Sequence, residues 1–193
     1  MFDSSGITSS LMSRWDYDYL IFQRIIQLLN VYTNKHSKTL VVRFDLTFPL
    51  GYTQVFTNEL ISSFTQKIIQ KYRRQGRDPC YIWVREQRTS VNPHYHFAIL
   101  LDGQQIQGFS HVFYNAQRLW GSTLGVDASG LVHHCIDEVY YKNFSNGIII
   151  RRNEADAQLT YEAVVQQLSY LAKMRDKRSD GASWRNFGMS QLY

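Results

Sequence analysis

The chain has 193 residues and a mass of 22.7 kDa, a length that suits one domain, and its 44% apolar, 15% aromatic and 19% charged composition excludes a disordered protein. Twenty-one basic against sixteen acidic side chains give a formal charge of +5 and a pI near 9.2, which admits a polyanionic partner without demanding one. Cys80 and Cys135, with no CxxC pair, exclude a disulfide framework and fit a reduced, cytoplasmic setting, and the lack of any run of eighteen apolar residues predicts no spanning helix and no membrane partner.

Residues 1–13 are Ser-rich and read as loose, without the basic start and apolar core of a secretory signal. From Arg14 to Tyr32 the apolar positions Ile21, Phe22, Ile25, Ile26, Leu28 and Leu29 recur at helical spacing, and the polar stretch Thr33 to Lys38 ends that helix. Leu40 to Phe48 alternates. Leu40, Val42, Phe44, Leu46 and Phe48 take one face, Val41, Arg43, Asp45 and Thr47 the other, and Pro49 closes the strand. Phe56 to Gln75 reads as a second helix, with Lys71, Arg73 and Arg74 in its last turn and Gly76 just beyond. Cys80 to Gln87 and His94 to Leu101 are strands close enough in sequence to pair as a hairpin. A third helix, Phe109 to Trp120, two β-prone stretches, Leu131 to Tyr141 and Gly147 to Arg151, and a last helix capped by Thr160 and running to about Met174 complete the order α-β-α-β-β-α-β-β-α. That order predicts an α+β fold: a central antiparallel sheet of about five strands with helices packed on its faces. The expected division is an N-terminal segment and helix (1–37), a main domain (38–176) and a basic, Gly/Ser-rich C-terminal tail (177–193).

Three groups of residues can carry chemistry. In His94-Tyr95-His96, residues i and i+2 of a strand share a face, so both imidazoles project together and suit a divalent metal. Antiparallel pairing would bring Glu86, on the preceding strand, to the same face about 5 Å from one of them. Two His and one carboxylate leave coordination positions open. The bland alternative is a hydrogen-bonded His pair, with Glu86 joined to Arg85 or Arg88 at an exposed edge. The second group is Tyr170 with Lys173, i and i+3 on one helix face: a tyrosine can be a nucleophile, and an ammonium stabilises phenolate or phosphate charge. The same spacing recurs at Tyr32 and Lys35, and either pair can be an interfacial tyrosine with a solvated lysine. The third is Arg43-Phe44-Asp45-Leu46-Thr47-Phe48-Pro49, where Asp45 and Thr47 could support a neighbouring site or touch a backbone phosphate. His133 and His134 are adjacent, so their side chains take opposite faces and do not readily serve one metal. No P-loop, GxGxxG, GxSxG or HExxH is present.

In this order, Phe44 to Pro49, Glu86 with His94-Tyr95-His96, and Tyr170-Leu171-Ala172-Lys173 resemble the three motifs of histidine–hydrophobic–histidine (HUH) replication initiators, with Tyr95 at the hydrophobic position. Within that superfamily the chain is most similar to the prophage-encoded inovirus replication-protein family of YagK/YfjJ type. The similar stretches are Trp83-Val84-Arg85-Glu86-Gln87 with His94-Tyr95-His96, then Ser169-Tyr170-Leu171-Ala172-Lys173, and Trp184-Arg185-Asn186-Phe187-Gly188 near the end. The resemblance implies a sheet carrying the His pair with the tyrosine helix across it. It implies a divalent ion, Mg2+ or Mn2+, held by Glu86, His94 and His96. It also implies site-specific nicking and joining of single-stranded DNA, as in the initiation of rolling-circle replication. Tyr170 would attack the scissile phosphodiester to give a 5′-phosphotyrosine and a free 3′-hydroxyl, and Lys173 would neutralise charge there. Single-stranded or hairpin origin DNA is the implied partner, contacted by Arg43, Asp45, Thr47, Arg85, Arg88, Arg178 and Arg185. The sequence stops after a nuclease-sized region, so helicase and polymerase are expected from the host. Initiators place the tyrosine after the His pair and mobilisation relaxases before it, which favours Tyr170 over Tyr32. No second tyrosine lies within five residues of Tyr170, which favours a single-tyrosine mechanism. Two alternatives stay open: a non-catalytic DNA-binding or regulatory module on the same fold, and an unrelated metal hydrolase.

Overall fold

The computed structural model describes residues 2–13, 16–53, 55, 57–87, 90–106, 108–135, 146–173 and 185–191. Their elements are α1 (Ser5–Met12), α2 (Tyr19–Lys35), β1 (Lys38–Leu46), α3 (Glu59–Arg74), β2 (Cys80–Glu86), β3 (His94–Asp102), α4 (Ser110–Leu124), β4 (Val132–His134), β5 (Ile148–Arg151), α5 (Ala157–Ser169), a 3-10 turn (Tyr170–Ala172) and β6 (Phe187–Met189). The expected α+β fold with one antiparallel sheet is present.

The alternation in β1 sets the layers. Leu40, Val42, Phe44 and Leu46 face α3 and α4, where Ile61, Phe64, Ile68 and Trp120 close over them. Val41 faces the other way, with Ile82 and Val84 of β2 and Ala98 and Leu100 of β3, under α2 and α5. Helices therefore cover both faces, and the central strands are buried on both sides. The strand order is β4-β1-β3-β2-β6, with β5 also paired to β1. β1 pairs with β3 so that Asp45 lies opposite His96, and β2 pairs with β3 so that Glu86 lies opposite His94.

The outer edge of β1 is shared. β4 pairs with Phe44 to Leu46 and β5 with Lys38 to Val41. Arg43 falls near the junction, and the buried Asn146 serves it there. The Asn146 side chain accepts from Arg43 N–H at 3.0 Å and donates to the Arg43 carbonyl, standing in for a missing strand residue.

Several element boundaries differ from the sequence-based expectation, each for a local reason. α2 begins only after Asp18, whose carboxylate accepts from Ile21 N–H at 3.1 Å, and continues past Tyr32 to Lys35 because Thr33 is buried and donates to Leu29 O at 2.7 Å. Thr160 is not the cap of α5. Its hydroxyl donates back to Asp156 O at 3.0 Å from inside the helix, which starts at Ala157. That helix ends at Ser169, not Met174. The segment before residue 13, expected to be loose, contains α1, whose Leu11 joins the core. The tail contains β6, paired with Ile82, Trp83 and Val84 of β2. α1, α2 and α5 share one core cluster. None of the described helices is long and apolar enough to cross a membrane.

Candidate functional site

The site grows from the side chains at one end of the sheet, on the face covered by α2 and α5. The period of 2 puts His94 and His96 of β3 there, and directs Tyr95 to the opposite core. Tyr95 is fully buried, and its hydroxyl meets Arg85 Nη1 at 3.0 Å, so a tyrosine fills the hydrophobic position with its polar end satisfied. The two imidazole rings lie 4.8 Å apart. The β1–β3 register then delivers Asp45. One of its oxygens is 2.8 Å from His96 Nδ1 and the other 3.5 Å from His94 Nε2. Glu86 Oε2 is 2.6 Å from His96 Nε2, so His96 has a carboxylate on each ring nitrogen.

The ligand atoms of Asp45, His94 and His96 all lie within 4.8 Å of one another. Glu86 joins this group through His96. This shifts the expected ligand set: Asp45, expected to touch nucleic acid, sits among the candidate metal ligands, because the strand register aims its carboxylate at the imidazoles. The cluster has a fit for a cation. Among the described residues the buried His94 Nε2 has no hydrogen-bond partner, while the His94 side chain as a whole is 41% exposed. An orphan imidazole nitrogen beside a carboxylate and a second imidazole is a donor set for a divalent metal with an open side.

The charges are mutually adjusted. Burial works against ionisation of Asp45, but the adjacent imidazoles of His94 and His96, the latter hydrogen-bonded to it, and the nearby Arg43 hold its carboxyl far below the usual range. The His96 hydrogen bond likewise lowers Glu86. Burial disfavours the His96 cation, yet the two carboxylates outweigh it and raise its pKa above the ordinary value.

Tyr170 stands over this cluster. It begins the 3-10 turn after α5, and its ring meets His96 edge-on with centroids 5.2 Å apart. The Arg43 guanidinium lies 4.3 Å from the Tyr170 ring centroid and the Lys173 ammonium 4.5 Å from it. Residues i and i+3 eclipse in a 3-10 turn, which is what brings Lys173 over the ring. The turn is fastened to the start of α2: Asp18 N–H donates to Ala172 O at 2.7 Å, and Tyr17 bridges Lys173. Arg43 is 6% exposed, one of its nitrogens is 3.5 Å from Asp45, and its Nε has no partner.

The alternative tyrosine is elsewhere. Tyr32 is buried at the other end of the sheet, donating to Asp78 O at 2.7 Å, and Lys35 pairs with the Asp78 carboxylate at 2.7 Å. Of the residues expected to contact nucleic acid, Arg43 and Asp45 reach the cluster. Thr47 lies beside it, 3.0 Å from the Nε2 of His133, a residue opposite Asp45 on β4. Arg85 is buried on the other face, where it donates to Val55 O, Thr57 O and Gln87 Oε1; it ties the loop before α3 to the sheet and is not free to meet a phosphate. Arg185 is exposed above Trp83, also on that other face. Arg88 and Arg178 lie outside the described residues.

A model of the YagK/YfjJ C-terminal domain matches residues 10–190. The chain belongs to the YagK/YfjJ C-terminal domain family. The match takes in α2, the Asp45–His94–His96 cluster, Tyr170 and β6 together. Among curated proteins it is 27% identical over 203 residues to the uncharacterized protein YagK of Escherichia coli strain K12, covering 88% of this chain and 91% of YagK. It is 25% identical over 200 residues to the uncharacterized protein YfjJ of the same strain, covering 87% of this chain and 92% of YfjJ.

Proposed function

We propose that this member of the YagK/YfjJ family nicks and rejoins single-stranded DNA through Tyr170, as HUH replication initiators do. The observation that carries this reading is the placement of Arg43 and Lys173 over the Tyr170 ring, with that ring against His96, beside a carboxylate–imidazole group with an orphan nitrogen. The Tyr170 oxygen attacks the scissile phosphorus. The new Tyr–O–P bond replaces the bond from phosphorus to the 3′-oxygen, which leaves as a 3′-hydroxyl. The phenol loses one proton and the leaving oxygen gains one, so the step needs no oxidant and no nucleotide. Reversal rejoins the strand. Arg43 and Lys173 hold positive charge where the phenolate and phosphate charge develop. A divalent ion, Mn2+ or Mg2+ by the mixed carboxylate and imidazole donors, would be held by Asp45, His94 and His96 and would draw charge from the phosphate. Glu86 orients His96.

Incubation with labelled single-stranded DNA and Mn2+, followed by a denaturing gel, should give a labelled protein band that disappears in Tyr170→Phe and His94→Ala. Persistence of the band in Tyr170→Phe would remove Tyr170 from the role. Metal titration ranks the ligands. Glu86→Gln should weaken affinity within the roughly 10- to 100-fold typical of an outer partner, and Asp45→Asn by more. The reverse order would put Glu86 in the ligand set. One observation favours a second reading, a DNA-binding module without catalysis: His96 already has both ring nitrogens engaged by carboxylates, so the triad holds together by itself. DNA binding with no metal uptake and no labelled band would select it.

A further inference from the structure

The second helical layer, on the far side of the sheet from the metal cluster, has a charge pattern that the site does not use. α3 and α4 hold five basic side chains and one acid, Glu59. Lys67, Lys71 and Arg74 fall at i, i+4 and i+7, one stripe of α3 about 10 Å long at 1.5 Å per residue. Arg118 faces them from α4. Between the helices runs a groove of about 430 Å3 lined by these four cations, by the amides of Gln70 and Gln75, and by one leucine. The Lys67 ammonium is positioned by α4, donating to Ser122 O at 3.2 Å, Ser122 Oγ at 3.4 Å and Thr123 Oγ1 at 3.2 Å, all neutral acceptors. Among the described residues none of the four cations meets a carboxylate. Four like charges around one groove repel one another and call for an anion.

We infer that this groove docks the sugar–phosphate backbone of duplex DNA. The core of a protein interface is depleted of charge, and here charge is the lining. A single strand is gripped by aromatic faces on which bases stack, and no aromatic side chain lines this groove. What remains is cations with amide donors, the chemistry that holds phosphates without reading bases. The position separates it from the metal cluster. The start of α3 is near the metal end of the sheet, where Asn58 meets Arg85, and the cations lie along its later turns on the opposite layer. Because the groove lies on the opposite layer from Tyr170, it takes another segment of the DNA than the strand held there. The inference rests on the nicking reading for its purpose, seating the duplex that flanks the nicked strand, but the binding can be measured alone.

The test is equilibrium binding of the full chain to a short blunt duplex and to a short single strand across a salt series, read by fluorescence anisotropy. Four phosphates neutralised in the groove contribute about −3.6 to the slope of log K against log salt for the duplex. The variant Lys71→Gln/Arg74→Gln/Arg118→Gln should reduce that slope by about 2.7, and Arg118→Gln alone by about 0.9. Single-strand affinity and the melting temperature should stay at their starting values. An unchanged duplex slope overturns the inference, and so does a variant that loses binding to anionic lipid vesicles or to an acidic polypeptide but keeps the duplex. The two readings fail separately. His94→Ala should leave the duplex slope intact. If no strand gives a covalent band while the triple variant still loses duplex binding, the groove stands and the nicking reading falls.

Discussion

Asp45 faces His96 at 2.8 Å, His94 at 3.5 Å and Arg43 at 3.5 Å, so a single carboxylate holds together three groups that carry or can take positive charge. The pH dependence of the metal-free protein follows from these contacts. His96 is raised above its ordinary 6.5, so its contribution to stability is complete below pH 6.5 and is lost as pH rises through the higher folded value. Asp45 and Glu86 are lowered from 3.8 and 4.5, so their contributions are complete above those values and are lost as pH falls through the depressed ones. The cluster therefore stabilises the metal-free chain most between about pH 4.5 and 6.5. Divalent metal requires neutral imidazoles, and its addition should move the optimum upward. Denaturant unfolding at a series of pH values, with and without Mn2+, measures both. A metal-free stability that climbs steadily to pH 8 would mean that His96 is not a cation in the folded protein.

At the scale of elements, the hairpin of β2 and β3 was legible because its evidence is local. The alternation of His94, Tyr95 and His96 fixes the face, and Glu86 is only eight residues away. Asp45 was legible as a polar residue on a strand but not as a candidate ligand. Its partner His96 is 51 residues distant, and alternation does not reveal the register of strands so far apart. Asn146 was invisible for a similar reason: an amide that completes a ladder leaves no periodic mark. The end of α5 was overextended because Leu168, Leu171 and Ala172 remain apolar through the change to 3-10 geometry. β6 is three residues long and contains Gly188, too short for a pattern of its own. Yet Gly188 explains the strand. It lies opposite Trp83, and a Cβ there would come within 2.6 Å of the indole ring. Trp83 is wedged in the core and cannot retreat, so Gly188→Ala should cost about 1–3 kcal/mol in denaturant unfolding. Gly76→Ala, at φ +69 with open space around it, should cost about 1–2 kcal/mol from backbone conformation alone. Equal wild-type stability in the Gly188 variant would show that β6 does not bear on Trp83.

Across the whole molecule the two faces of one sheet have divided the chemistry. The titratable cluster and Tyr170 belong to the layer of α2 and α5, and the groove cations to the layer of α3 and α4. The central strands connect them: β3 sends His96 to one layer and Tyr95, with its Arg85 partner, to the other. The order of the sheet also has a consequence in time. The outer edge of β2 is covered by β6, about 100 residues later in the chain. At the roughly 5–20 residues per second of synthesis, that edge waits on the order of 5–20 s for its neighbour. During that interval Ile82, Trp83 and Val84 present open backbone donors and acceptors, the template on which strands of other nascent copies can pair. Slow translation between the two strands lengthens the exposure, and chaperones that shield sheet edges shorten its effect.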